Sequence, residues 1–287
     1  MTDPVRIALG QMCSGLDPEE NINTIAQFAA EARAAGAGYL QVPEMSVGFA
    51  GDRAQLEAIA EPEVNNRQIS RLSDVARENG IVLHVGSLAV SKGNGRFANR
   101  SLLFGRSGRL LGQYDKVHLF DADVPDQTKV YRESATYDAG DALVIVDLAS
   151  EGIAATLGLS ICFDVRFGEH YLALAQKGAK LMAVPAAFTQ PTGEAHWEVL
   201  LRARAIETGS FVLAAAQAGD HANGRSTHGH SMIVDPWGRI LAEKADREPG
   251  LLLADLDLDA VTDARRRLPV LDMRQAHSLS INHKVAG

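Results

Sequence analysis

Twice along this chain of 287 residues a short apolar strand runs into a polar or reactive residue at its C-terminal end, and a helix leads on to the next strand. In the first half, Val5 to Leu9 reads as a buried strand. Residues 18 to 35 then follow a helical period, with Ile22, Ile25, Ala26, Ala29 and Ala32 on one face, until Gly36 stops the helix. Tyr39 to Val42 is a second strand that ends in Pro43-Glu44, which gives the β-α-β form of a parallel crossover. In the second half, strands over Leu143 to Leu148 and Ile153 to Leu159 lead into Ser160-Ile161-Cys162. A helix through Ala175, a strand Lys180 to Val184, a helix from Glu194 to Glu207 and a strand Phe211 to Ala216 complete it. Such a repeat predicts an α/β fold of two β-sheets flanked by helices rather than one continuous doubly wound sheet.

Between the halves, Val64 to Glu78 is predicted helical, and Ile81 to Leu88 is apolar enough to be a strand covered on both faces. The turn signals Lys92-Gly93-Asn94-Gly95 and Ser107-Gly108 then predict hairpins joining Val85 to Val90, Ser101 to Phe104 and Leu110 to Tyr114. No linker interrupts the pattern, so residues 1 to 275 are expected to form a single domain, and 276 to 287 a C-terminal tail. Trp197 and Trp237 read as packing anchors.

Composition excludes several classes of function. The net charge is -8 and the densest basic run is Arg265-Arg266-Arg267, so no nucleic-acid partner is expected. No apolar run approaches the ~20 residues that span a bilayer, and the N-terminus lacks a signal-peptide pattern, which predicts no membrane association and a cytoplasmic protein. The two cysteines, Cys13 and Cys162, are too few for a disulfide framework.

Cys162 sits where a strand gives way to a helix-like turn, an elbow that lifts the side chain to the sheet edge and aims the next backbone N–H groups at whatever the sulfur attacks. Alone it also fits a buried structural cysteine. A thiol of ordinary pKa near 8.5 needs a base or cation beside it, and the nine histidines are scattered. Two strand ends offer charged residues instead: Leu40-Gln41-Val42-Pro43-Glu44, and Gly112 through Phe120 around Lys116. Each alone fits a solvated loop charge. His228-Gly229-His230 offers only two imidazoles, so no metal is expected, and Gly36-Ala37-Gly38 follows a helix rather than a strand, so no nucleotide cofactor is expected either.

Taken together, Pro43-Glu44-Met45, the run YDKVHLFD around Lys116 and the run GLSICFDVRF around Cys162 resemble the signature of the nitrilase, or carbon-nitrogen hydrolase, superfamily. The likeness extends through Tyr131-Arg132-Glu133-Ser134, Ala195-His196-Trp197-Glu198, Gly229 to Gly238 and Leu268-Pro269-Val270, and it points to the deaminated-glutathione amidase and ω-amidase branch. Gly168, where many relatives carry Pro, and Met45 after the glutamate depart from the pattern. The resemblance implies a four-layer α-β-β-α sandwich and no cofactor. It also implies Cys162 as nucleophile, Glu44 as base, Lys116 as the cation beside the oxyanion and Glu133 as a second positioning carboxylate. A homodimer or larger homo-oligomer is implied in the same way.

The expected reaction is hydrolysis by water of a small carboxylate-bearing amide to an acid and ammonia through a thioester on Cys162. Hydrolysis of an N-carbamoyl amino acid or a nitrile on the same triad is the alternative, and a non-catalytic interaction protein a third. Since Lys116 and Glu44 act on the transition state, removing either is expected to cut turnover and leave unfolding little changed. The Phe163 backbone N–H is expected to stabilise the oxyanion together with Lys116. Arg166, four residues after Cys162, can rise on the side of the sulfur and fork a substrate carboxylate, or pair with Asp164 or Glu169. The resemblance adds Phe188 and Thr192 to an acid-binding pocket with Arg166.

Overall fold

A computed structural model describes residues 4–126 and 130–275, so the proposed tail, 276–287, lies outside the described residues. Strands of the first half are β1 (Val5–Gln11), β2 (Tyr39–Val42), β3 (Glu61–Pro62), β4 (Val82–Ser91), β5 (Phe97–Phe104), β6 (Leu110–Asp115), β7 (Asp121–Asp123) and β8 (Val130–Arg132). Those of the second are β9 (Ile145–Asp147), β10 (Thr156–Gly158), β11 (Leu181–Ala183), β12 (Phe211–Ala214), β13 (Ala218–Asp220), β14 (Ser226–His228), β15 (Ser231–Val234), β16 (Ile240–Lys244) and β17 (Gly250–Leu256). The helices are α1 (Pro18–Ala34), α2 (Arg53–Ile59), α3 (Arg67–Asn79), α4 (Gly168–Gln176), α5 (Gln190–Thr208) and α6 (Asp259–Arg267).

One sheet runs β17-β1-β2-β4-β5-β6, with β3 beside β4, and the other β16-β15-β12-β11-β10-β9. The pairs β1–β2 and β2–β4 are parallel, as the crossover pattern predicts, and β4–β5–β6 is the predicted antiparallel meander. Side-chain alternation sorts the first sheet's residues between two cores. Ala8, Leu40, Leu83 and Val85 pack outward on Ile22, Ile25, Leu72 and Val75 of α1 and α3. Ile7, Leu9, Tyr39 and Val82 face the second sheet, whose far side is covered by Tyr171, Leu174, Trp197 and Leu201 of α4 and α5. The result is the four-layer α-β-β-α sandwich, in which each fully buried Leu or Ile contributes about 1.5–3 kcal/mol of transfer energy.

A polar seam crosses the space between the sheets. Gln41 Nε2 donates to the Leu213 carbonyl at 3.0 Å, and the Tyr39 hydroxyl lies between Gln41 Oε1 at 3.1 Å and His84 Nδ1 at 3.0 Å. His84 lies 2.7 Å from Ser101 Oγ through Nε2, and burial pushes its pKa down to about 3. Gly86 closes the end of the seam: a Cβ there would run into the Val42 and Pro43 carbonyls and into Pro185. Only glycine lets the ends of β2 and β4 approach the second sheet so closely.

Several elements differ from the sequence expectation. The helix predicted from Val64 starts at Arg67 because Asn66 caps it, accepting from Ile69 N at 2.9 Å. The strands predicted over Leu143–Leu148 and Ile153–Leu159 shrink to β9 and β10 about the 3₁₀ turn Ala149–Glu151 that joins them. Trp197 is a packing anchor, its Nε1 donating to the His230 carbonyl at 2.8 Å, but Trp237 is 45% exposed.

Candidate active site

Five chain segments converge where strands of both large sheets and of the separate β7–β8 pair end. Glu44 follows β2, Lys116 follows β6, Glu133 follows β8, Cys162 follows β10 and Ala187-Phe188 follow β11. All five segments line one open cavity of about 290 Å³. A crevice outside the carboxyl ends of strands is where open α/β sheets hold ligands.

Lys116 is the hub. Its Nζ donates to Glu44 Oε1 at 2.8 Å and to Glu133 Oε2 at 2.9 Å, with the side chain only 2% exposed. Burial works against the ammonium, yet Glu133, Glu44 and Cys162 outweigh it and raise its pKa well above the ordinary value. Two of its three N–H donors are used among the described residues, which leaves one for an incoming oxygen.

Neither carboxylate depends on Lys116 alone. Asn99 Nδ2 donates to Glu44 Oε1 at 3.0 Å and to Glu133 Oε1 at 2.9 Å. The backbone N–H of Ala187 reaches Glu44 Oε2 at 3.0 Å, and that of Phe120 reaches Glu133 Oε2 at 2.6 Å. Asn99 did not stand out in the sequence, where Arg100 and Ser101 follow it in β5, and its burial shows only in the fold.

Cys162 opens a 3₁₀ turn, Cys162–Arg166, and has φ 48, a left-handed conformation that costs a non-glycine residue about 1–2 kcal/mol. The strain is held by its own N–H, donated to the Pro185 carbonyl at 2.8 Å, and by Asp164. One Asp164 oxygen accepts from Ile161 N at 2.8 Å and the Tyr114 hydroxyl at 2.6 Å. The other meets His118 N at 3.0 Å and His118 Nδ1 at 2.7 Å. Asp164 therefore ties the Cys162 elbow to the Lys116 segment. Burial, then Glu44, pushes the Cys162 thiol well above its ordinary pKa against the pull of Lys116 and the Ala187 N–H. The Glu44 carboxylate thus stands beside the Cys162 sulfur.

The predicted pocket residues Phe163, Arg166, Phe188 and Thr192 all line this cavity. Arg166 lies 5.3 Å from the Phe188 ring and 5.7 Å from that of Phe163, and its Nη1 is 3.3 Å from His196 Nδ1. It pairs with neither Asp164, whose oxygens are taken by the elbow, nor Glu169, so among the described residues its guanidinium has no carboxylate partner. Thr192 Oγ1 sits 2.8 Å from Thr189 Oγ1.

Cys13 is an exposed cysteine outside the cavity, 3.7 Å from His221 Nδ1. That imidazole is already committed, with Nδ1 3.1 Å from the Ser14 carbonyl and Nε2 2.7 Å from Thr227 Oγ1. A ring nitrogen that donates to a carbonyl cannot also take a thiol's proton. The Cys13 thiol is raised by partial burial and by Asp220.

Known proteins resemble this chain in sequence and in fold. The sequence profile of the family described as "Carbon-nitrogen hydrolase" matches residues 6–266. A curated relative, the deaminated glutathione amidase of Dictyostelium discoideum, is 36% identical over 96% of each chain. The crystal structure of the C. elegans NitFhit protein superposes with a TM-score of 0.87 at 33% identity, covering 100% of this chain and 69% of its own. A mutant amidase from Nesterenkonia sp. AN1, with acrylamide added to its active-site cysteine, superposes with a TM-score of 0.76 at 32% identity, covering 92% and 98%. The chain belongs to the carbon-nitrogen hydrolase family of the nitrilase superfamily and is a hydrolase of non-peptide carbon–nitrogen bonds.

Proposed function

We propose that this protein hydrolyses the amide C–N bond of a small carboxylate-bearing substrate, with Cys162 as nucleophile, Glu44 as base, Lys116 as oxyanion partner and Glu133 as the carboxylate that positions Lys116. The observation that carries the substrate class is Arg166, a guanidinium in the cavity of Cys162 without a carboxylate of its own. A planar fork of this kind takes a carboxylate through two parallel hydrogen bonds. Phe188 and Thr192 complete the wall beside it. The curated relatives named as deaminated glutathione amidases support the same class.

In this mechanism Glu44 takes the thiol proton as Cys162 Sγ attacks the amide carbon. The tetrahedral oxyanion is met by the spare Lys116 N–H and the Phe163 backbone N–H, each such donor being worth about 3 kcal/mol. Collapse expels the amine, which receives the proton from Glu44, and leaves a thioester on Cys162. Glu44 then deprotonates water as it attacks the thioester, and breakdown returns the acid and the thiol. Every proton and acyl transfer closes with side chains of this chain and water.

The same reading places residues 1–275 in one working unit in the cytoplasm. It makes the protein a homo-oligomer, with Val199 and Ile206 of α5 and Trp237 and Leu241 of the β15–β16 region as the exposed apolar face. Among the described residues no helix is long and apolar enough to cross a membrane.

The test is a panel of amides with and without a carboxylate, followed by mass spectrometry of the trapped acyl-enzyme. Acyl mass on Cys162 and a loss in Arg166→Ala confined to the carboxylate-bearing amides are expected. Acyl mass on Cys13, or a wild-type preference for neutral amides, refutes the reading.

A further inference from the structure

Beside the Cys162 elbow, three side chains that do not line the cavity bring metal-ligating atoms together. They are not the two imidazoles close in sequence, His228 and His230, but a trio that only the fold assembles. His118 stands two residues after Lys116, Asp164 lies within the turn Cys162–Arg166, and His170 is in the first turn of α4. One ligand atom from each, a ring nitrogen or a carboxylate oxygen, lies within 4.8 Å of the other two.

His170 is 3% exposed and half used. Its Nε2 lies 3.2 Å from the Leu159 carbonyl, and since a carbonyl only accepts, Nε2 carries the ring proton. Nδ1 is then a bare lone pair, buried and without a hydrogen-bond partner among the described residues. Burial keeps the ring below its ordinary pKa against the pull of Asp164, so it is neutral. A buried acceptor left unpaired is costly, and a cation is a partner that satisfies it. The anion is at hand: Asp164 is fully buried, and its Oδ1 stands 2.7 Å from His118 Nδ1. Its Oδ2 is held separately by Ile161 N and the Tyr114 hydroxyl, so the elbow does not depend on the His118 ring. Both rings are fixed by neighbours, His118 stacked on Phe167 with centroids 3.6 Å apart and His170 edge-on to Tyr114 at 5.9 Å. Two imidazoles and a carboxylate, with one ring N–H anchored on a backbone carbonyl, are the donor set and outer support of zinc sites. Calcium and magnesium, which take oxygen ligands, would find a single carboxylate.

We propose that His118, Asp164 and His170 form a binding site for a zinc-type divalent transition ion, which staples α4 to the Cys162 elbow and to the segment that carries Lys116. The ion takes the place of the proton between His118 Nδ1 and Asp164 Oδ1 and receives the His170 Nδ1 lone pair. The displaced proton of the His118 ring moves to its Nε2, on a side chain 25% exposed, and water completes the coordination. An ion held by the folded chain and not by the unfolded one raises stability with its concentration. The site stands apart from the reacting groups, so its existence does not hang on which amide the enzyme takes.

The test uses the untagged full chain, treated with EDTA and carrying Cys13→Ala and Cys162→Ala so that no thiolate competes for the ion. Co²⁺ is titrated in and followed by its visible d–d absorption, and Zn²⁺ is followed by thermal melts. Two further variants keep the hydrogen bonds and remove a ligand: His170→Gln retains a donor for the Leu159 carbonyl and loses Nδ1, and His118→Asn retains a donor for Asp164. One Co²⁺ per chain is expected, and Zn²⁺ at a hundredfold excess over its Kd should raise Tm by about 5–10 °C. Each variant should bind about 100-fold more weakly or worse and lose the Zn²⁺-dependent rise, while melting close to the parent without metal. Where one variant fails to fold, the other decides. No saturable uptake of one ion per chain overturns the proposal, and so does uptake that survives either substitution, which makes the ion an adventitious one held elsewhere.

Discussion

Replacing Lys116 by methionine removes one buried positive charge from between two carboxylates and keeps most of the side-chain volume. Nζ stands 2.8 Å from Glu44 and 2.9 Å from Glu133, and the side chain is 2% exposed. With the ammonium gone, the Asn99 amide alone bridges the two carboxylates. Removing one partner of a buried ion pair costs about 3–5 kcal/mol because the remaining charge is left uncompensated. Against a total stability of roughly 5–15 kcal/mol this is a large fraction, and Tm should fall by about 10 °C. The expectation from sequence, that removal of Lys116 leaves unfolding little changed, gives way to the burial of the ammonium. Turnover should drop by about 10²–10³ through the lost oxyanion donor alone. The informative comparison is Lys116→Met with the double variant Lys116→Met/Glu133→Gln, measured by urea melts and by kcat. The second substitution removes one of the two stranded charges, so it should return much of the stability and none of the activity. A single variant that melts like wild type, or a double variant that regains turnover, refutes the account of Lys116 as both counter-ion and oxyanion partner.

Asn99→Ala should lower kcat by about 10- to 100-fold with KM little changed, because Glu44 and Glu133 lose their shared donor. Asn99→Asp should be worse, since it sets a third carboxylate against the other two, and steady-state kinetics showing the Asp variant as active as the Ala variant would count against a positioning role. His84 gives a pH dependence: its folded pKa, about 3, is below the unfolded value near 6.5, so its contribution is present above pH 6.5 and lost as pH falls toward 3. Between pH 7 and pH 4.5 the loss amounts to ~3 kcal/mol, and His84→Gln should remove that part of the acid sensitivity in urea melts at the two pH values. A variant as acid-sensitive as wild type would exclude His84 as the source.

Glu44, Lys116 and Cys162 each stand at a strand end, which alone left a solvated charge or a structural cysteine open; the resemblance of the three segments taken together is what singled them out. What brings them together was not legible in the sequence. The Ala187 N–H that fixes Glu44 comes from 143 residues away, and Asp164 reaches His118 over 46. Local periodicity carries no signal for contacts at such separations. Gly250–Leu256 has the apolar content of a strand, but its partner β1 is at the other end of the chain.

That last pairing bears on how the molecule is made. In the register Val5 faces Leu256 and Gln11 faces Gly250, so β1 is made well before the strand that covers its outer edge, Arg6 lying 249 residues ahead of its partner Asp255. Until then it presents a row of unpaired N–H and C=O groups that can recruit a strand from another molecule. Contacts at such sequence separation place the chain among slow folders, which pass through aggregation-prone states. Truncation ahead of Gly250 therefore exposes a sticky edge as well as removing a strand.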